Sequence, residues 1–279
     1  MSNGTDNQSE LPKSLLLVGA GKMGGAMLEG WLAKGLDPAR LTVLDLHPSP
    51  SLLDFAGTTG LRLNPDPARI SEPEVLVLGI KPQALTEAAP GISRFAGPAT
   101  LVISILAGKT VADLTRALPN AAAIVRAMPN LPASIGRGAT GAFASSSATD
   151  RQRSLTQALL SAVGVVEWID REECIDAVTA VSGSGPAYVF HLAECLAEAG
   201  REAGLEAGVA ERLARETIIG AAELLSGSGL DPAVLRQNVT SPGGTTAAAL
   251  DVLMAADGMG FLMRRAVQAA KRRAGELSG

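Results

Sequence analysis

The sequence predicts an α/β half followed by an all-helical half. Three observations carry this reading. Up to about residue 170, short apolar runs alternate with helical patterns, the order of a mostly parallel, doubly wound sheet. The first run ends in Gly19-Ala20-Gly21-Lys22-Met23-Gly24, a glycine turn that opens a helix. From Asp170 onward strand-like runs disappear, and Ala, Leu, Glu and Arg dominate. A chain of 279 residues is long enough for about two domains. The division expected is a disordered leader at 1–12, an α/β domain at 13–170 and a helical domain at 171–279.

Composition narrows the function. Only 3% of residues are aromatic and the formal net charge is −4, so neither a base-stacking surface nor a polyelectrolyte footprint for nucleic acid is present. Cys174 and Cys195 give no metal spacing and no disulfide framework, which fits a reducing cytoplasm. Both read as buried small apolar residues. His47 and His191 are far apart, so no metal site is expected. Met1–Glu10 is polar and lacks the apolar core of a signal peptide. No apolar run reaches the roughly 18 residues of a membrane span, so no membrane partner is expected.

Lys13–Val18 reads as a buried strand, and the G-x-G-x-x-G follows it directly. A helical pattern through Met27, Leu28, Trp31 and Leu32 stops at Gly35. A second strand, Leu41–Leu44, ends at Asp45, about 20 residues beyond the last glycine of the turn. Strand, glycine turn, helix, strand and acid in this order predict a Rossmann-type dinucleotide site. Gly19 permits the turn, Gly21 lets backbone approach a pyrophosphate, and Gly24 lets helix pack on strand. Ala20, Lys22 and Met23 complete the loop. Asp45 has two readings: an acceptor for the ribose 2′-hydroxyl, which favours NADH, or a solvated loop residue. His47, Ser49 and Ser51 offer part of a nest for a 2′-phosphate.

The alternation continues. Glu74–Ile80 is a strand, and its end, Gly79-Ile80-Lys81-Pro82, is a candidate cofactor contact at the carboxyl edge of the sheet. Leu101–Ile105 is a strand and Val111–Ala117 a helix. Ala122–Met128 is a strand closed by Pro129-Asn130-Leu131-Pro132, which makes Asn130 a further candidate. Gly136–Phe143 reads as strand and turn, Asp150–Ala162 as a helix and Gly164–Ile169 as the last strand.

In the helical half, Ser182-Gly183-Ser184-Gly185-Pro186 reads as a sharp loop before a helix at 187–204. Tyr188, His191, Leu192 and Cys195 share one side of that helix and read as packing residues. A second helix spans 209–225, a short one follows Asp231-Pro232, and a basic helix runs from about Gly258 to Leu277. Helices rich in Ala and Leu on several sides are buried ones, and about a hundred residues bury them best against a partner. An obligate dimer is therefore expected.

The most informative stretch is Ser241-Pro242-Gly243-Gly244-Thr245-Thr246. It reads as a helix start with Ser241 at the N-cap and Pro242 at the first helical position. Two glycines are poor helix residues but leave bare N–H groups for an anion such as a carboxylate.

A nucleotide-binding half followed by a helical half with these motifs resembles the pyrroline-5-carboxylate reductase family. The resemblance covers nearly the whole chain after the leader. It rests on Gly19–Gly24, Lys81-Pro82, Arg126–Asn130, Val181–Tyr188 and Ser241–Thr246. It implies a Rossmann domain, an interlocking helical dimerisation domain and often a ring of dimers. It implies reduction of a cyclic imine to L-proline, commonly with NADPH, NADH remaining possible. By this resemblance, Ser241, Gly243, Gly244, Thr245 and Thr246 hold the substrate and Thr246 reaches the ring nitrogen. Lys81 and Asn130 line the nicotinamide. Leu131, Gly227 and Asp231 depart from the family pattern outside its core motifs. A dehydrogenase of the β-hydroxyacid type would need a lysine on the helix at 187–203, and none is there. A six-membered imine substrate and a non-catalytic dinucleotide sensor stay open.

Overall fold

The computed structural model describes residues 11–278. Most of the expected leader, residues 1–10, lies outside them. Contacts part the chain into two units, one up to Gly183 plus the residues from Lys271 on, the other Ser184–Ala270. By contacts, residues 171–183 thus pack with the sheet ahead of Ser184. The physical reason is packing: Ile175 and Ala180 are buried, and Val178 closes over Gly141, where a Cβ would lie 2.6 Å from its methyl.

The first unit is built on one eight-stranded sheet. Its strands are β1 (Leu15–Val18), β2 (Leu41–Leu44), β3 (Arg62–Leu63), β4 (Val75–Leu78), β5 (Leu101–Ser104), β6 (Ala123–Met128), β7 (Gly138–Ala144) and β8 (Gly164–Trp168). The order is β3-β2-β1-β4-β5-β6-β7-β8, and only the β6–β7 pair is antiparallel. Helices α1 (Lys22–Ala33), α2 (Pro50–Thr59), α3 (Leu85–Ile92), α4 (Val111–Ala117) and α5 (Asp150–Leu160) connect them. Strands buried on both faces explain the continuous apolar runs. Leu15, Leu17, Val75 and Val77 enter one core, while Leu16, Val18, Leu76 and Leu78 enter the other. Trp31 is fully buried in the first core, where its indole N–H donates to the Leu159 carbonyl at 2.9 Å.

The chain leaves the sheet through α6 (Ile175–Val178), which widens into a π-turn at Thr179–Gly183. The sharp loop expected at Ser182–Pro186 is therefore helical up to Gly183 and again from Gly185. Hydroxyls support the widened turn: Thr179 donates to the Ile175 carbonyl and Ser182 to that of Val178.

The second unit contains α7 (Gly185–Glu202), α8 (Ala207–Ser228), α9 (Pro232–Asn238) and α10 (Thr245–Leu253), and it holds the start of α11 (Met259–Ser278). α7 and α8 approach closely at Gly200, where a Cβ would stand 3.3 Å from that of Ala210. Glu206 caps α8 through the N–H groups of Gly208 and Val209. His191 and Cys195 are exposed, contrary to the packing role expected of them, and Cys174 is only half-buried. The reason is that this face of α7 has no cover among the described residues: Phe190 and Leu196 beside it are exposed as well. Among the described residues no single helix is long and apolar enough to cross a membrane. Nor do three or more His, Cys, Asp or Glu residues gather as a metal site among them.

Candidate active site

The cofactor residues expected from sequence gather on the carboxyl edge of the first unit's sheet. Strand order reverses between β1 and β4, the place where such sheets open a crevice. Gly19, at φ +91°, and Gly79 flank that point. Their backbones touch: a Cβ on Gly19 would lie 2.7 Å from the Gly79 carbonyl carbon, and one on Gly79 2.6 Å from Gly19 O. Gly24 packs harder still, its Cβ position falling 2.2 Å from Gly19 O. Of these loop glycines, Gly21 alone faces open space.

Gly21 is the N-cap of α1 and offers no side chain to the first turn. The early N–H groups of Lys22, Met23 and Gly24 are thus left to an outside acceptor. A bare, open helix start beneath a glycine loop is a cradle that a side chain would fill, and it fits a dinucleotide pyrophosphate. Ile80 is half-buried beside it. Lys81 is exposed and precedes a 3-10 turn at Pro82–Ala84.

Asp45 is half-buried, and backbone groups engage both of its carboxylate oxygens. Its Oδ2 accepts the Ala20 N–H at 2.7 Å and its Oδ1 the His47 N–H at 2.8 Å. Asn64, which sequence reasoning missed, grips the Asp45 backbone from just beyond β3. The available signal was its Asn-Pro dipeptide, which marks a turn and nothing more. Ser49 caps α2 and lies 2.9 Å from the Ser51 hydroxyl.

Asn130 is buried, and both ends of its amide are engaged inside the unit. Nδ2 donates to the Ser182 carbonyl at 3.0 Å, and Oδ1 accepts the Ala139 N–H at 2.8 Å. It ties the end of β6 to the π-turn. Arg126, in the same motif, is a second missed residue. Its guanidinium is almost wholly buried and meets Glu172 at 2.6 Å, and the same Glu172 oxygen accepts the Val111 N–H at the start of α4. One carboxylate thereby joins β6, α4 and the segment entering α6. Beside it, burial works to raise the Asp113 carboxyl, but hydrogen bonds from Thr110 and the Arg116 guanidinium outweigh this and hold it below its ordinary value.

The substrate residues gather on one turn of the second unit, with a correction. Ser241 is not an N-cap and Pro242 is not in a helix. Ser241–Gly244 form a β-turn closed by the Gly244 N–H on the Ser241 carbonyl at 3.0 Å, and Gly243 has φ +67°. Pro at the second position and Gly in the left-handed third position are what a type II turn selects, and that preference beats the helix start. α10 begins after it, at Thr245, with Gly244 as an N-cap lacking a side chain. The first-turn N–H groups of Thr245, Thr246 and Ala247 therefore have no acceptor from a cap. The anion-binding character survives the correction and moves about one helical turn along the chain. Thr246 is half-buried, while Ser241, Gly243 and Thr245 are exposed.

Comparison with known proteins bears on both units. Residues 172–277 match the family described as pyrroline-5-carboxylate reductase dimerisation, and residues 14–108 the family described as NADP oxidoreductase, coenzyme F420-dependent. A pyrroline-5-carboxylate reductase of Pseudomonas aeruginosa is 37% identical over 95% of this chain and 96% of its own. The structure of a pyrroline-5-carboxylate reductase from Coxiella burnetii aligns with a TM-score of 0.88 at 36% identity, covering 96% of this chain and 99% of that one. A Plasmodium falciparum pyrroline carboxylate reductase structure with NADP bound aligns at 0.76 and 25% identity, covering 95% and 98%.

Proposed function

The chain belongs to the pyrroline-5-carboxylate reductase family, and on that premise we propose how its residues divide the work. The protein reduces 1-pyrroline-5-carboxylate to L-proline and uses NADPH. The observation that carries our assignment is the uncapped start of α10 behind a Pro-Gly turn. A helix start of this kind attracts a carboxylate through bare N–H groups and the helix dipole. The first-turn N–H groups of α10, from Thr245 on, receive the substrate carboxylate, Gly243 and Gly244 leave its approach free of side chains, and Ser241 assists. Thr246 hydrogen-bonds the ring nitrogen and orients the imine carbon for reduction.

Gly19–Gly24 hold the pyrophosphate on the start of α1. Gly79, Ile80, Lys81 and Pro82 line the nicotinamide side. Asn130 contributes there by fixing the backbone, since its amide is already engaged. The bound dinucleotide supplies a hydride. The chain's part is to orient the imine, to neutralise the carboxylate and to hold the ring nitrogen. A cyclic iminium carries its own proton, so no acid–base pair is required, and the sequence offers none. NADH is the weaker alternative cofactor. The functional form is a homodimer, with a ring of dimers as its larger assembly, working in the cytoplasm.

Initial rates of NADPH and NADH oxidation with racemic pyrroline-5-carboxylate test this reading. We expect turnover, faster with NADPH. Thr246→Ala lowers kcat about 100-fold with folding kept, the usual scale for losing one positioned hydrogen bond in the transition state. Full activity in that variant sinks the role of Thr246. Wild-type protein that binds a dinucleotide but turns over with neither sinks the reaction.

A further inference from the structure

The cofactor edge contains one residue that neither the glycine loop nor the family motifs account for. Asn64 follows β3 with φ +46°, and among the described residues no other non-glycine residue has a positive φ. Such a conformation costs roughly 1 kcal/mol or more and persists where its surroundings enforce it. Three hydrogen bonds enforce it here. The Asn64 N–H donates to the Val43 carbonyl at 2.8 Å, continuing the β2–β3 ladder. Its Nδ2 donates to the Asp45 carbonyl at 2.8 Å, and its Oδ1 accepts the Asp45 N–H at 2.8 Å. The side chain stands where a further residue of a short edge strand would pair, and it fixes both backbone polar groups of Asp45.

Asp45, so held, turns its carboxylate inward. Oδ2 closes on the Ala20 N–H in the glycine loop and Oδ1 on the His47 N–H. We propose that Asn64 is a positioning residue for the adenosine end of the cofactor, and that the Asn64–Asp45–Ala20 clasp sets selectivity at the ribose 2′ position. The proposal rests on the reading that this edge takes a nicotinamide dinucleotide. An acid that selects NADH offers its oxygens to the ribose 2′-hydroxyl. Here both oxygens face backbone N–H groups, and Asn64 keeps Asp45 in that pose. The acid after β2, which taken alone favours NADH, has one acceptor site of each oxygen taken and its direction set by the clasp, which draws it back from that task. The 2′ position is left to the Ser49 and Ser51 hydroxyls at the start of α2.

Releasing the clasp returns the carboxylate to the ribose, where it accepts from a 2′-hydroxyl and repels a 2′-phosphate. The test is direct binding of NADP+ and NAD+ to the full chain by calorimetry, in wild type, Asn64→Gly and Asn64→Ala. Glycine keeps the left-handed backbone and removes only the clasp, so it tests the proposal even where alanine fails to fold. We expect the ratio of the NAD+ to the NADP+ dissociation constant to fall about tenfold, the scale of one charge-assisted hydrogen bond. Mere loosening of the loop weakens both nucleotides by one factor and leaves that ratio alone. Constants that move together, stay unchanged or diverge in the opposite sense overturn the proposal. A wild type that binds neither nucleotide overturns the dinucleotide reading itself, and the proposal with it.

Discussion

The two units bury their apolar residues in opposite ways. In the first, Leu17, Trp31, Val77 and Leu101 are all fully buried against side chains of the same unit. In the second, the buried residues of α7 and α8 are the alanines 197, 210 and 214, while Phe190, Leu224 and Val252 are more than half exposed. Burying a Phe or Leu side chain is worth about 1.5–3 kcal/mol, so a face with many such residues uncovered forgoes a large stabilisation. The first unit explains its own stability. The second is one part of a larger core, in keeping with a region that matches a dimerisation family. The difference teaches that burial within one chain reports on sheet and helices only where their partner lies in that chain.

The strongest way to break this contrast is a charge on the exposed face of α7. Phe190→Glu puts a carboxylate where the proposed dimer needs an apolar side chain, and an unpaired buried charge costs several kcal/mol. We expect light scattering to show the mass fall to one chain, with turnover lost. An unchanged mass and rate would mean that α7 faces water, and the contrast would fail.

A smaller effect sharpens the other side. In Gly24→Ala the added Cβ meets the Gly19 carbonyl oxygen at 2.2 Å, a backbone atom with little room to yield. Overpacking of this kind costs about 1–3 kcal/mol. Thermal melts of this variant should show the same loss at every protein concentration, whereas the second unit's transition should rise with concentration. A concentration-dependent loss in Gly24→Ala would tie the two units' stabilities together.

The smallest effect is at Glu74. Burial works to raise its carboxyl, but the Lys13 N–H at 2.6 Å and the Arg151 guanidinium at 2.8 Å outweigh it, leaving the folded value below the ordinary 4.5. A lowered carboxyl contributes stability above pH 4.5, and the contribution vanishes as pH falls through the folded value. Glu74→Gln should therefore lower Tm near neutrality by an amount worth no more than about 1 kcal/mol. The gap to wild type should close on acidification below the ordinary carboxylate range. A gap that widens with acid would reverse the sign assigned to Glu74.

Much of the first unit was legible because buried parallel strands are apolar runs with hard stops. Leu41–Leu44 and Val111–Ala117 begin and end where the residues say they should. The two-residue β3 carries too little pattern to read, and so did the residue that follows it. Ser182–Pro186 looked like a loop because Ser, Gly and Pro mark turns. In the structure it is held by the Thr179 and Ser182 hydroxyls and by Asn130, distant in sequence, on the Ser182 carbonyl. At Ser241–Gly244 the same Pro and Gly suit a helix start or a type II turn, and only the positive φ of Gly243 decides. The glycine loop was readable because its demands are on the backbone. Asn64 and Glu172 were not, since a single polar residue carries no pattern and their meaning lies in partners such as Asp45 and Arg126.

The first unit is interrupted in sequence, and its last contacts come from the far end of α11. Ala274 is buried there, and the Leu277 carbonyl oxygen lies 2.7 Å from the Cβ position of Gly108, in the loop after β5. During synthesis all eight strands emerge early, yet the patch around Gly108 stays uncovered while everything from Ser184 to Ala270 is made. The half of the protein that looks self-sufficient is thus the last to be finished, and the ribosome reaches its closing piece only after the helical half is complete.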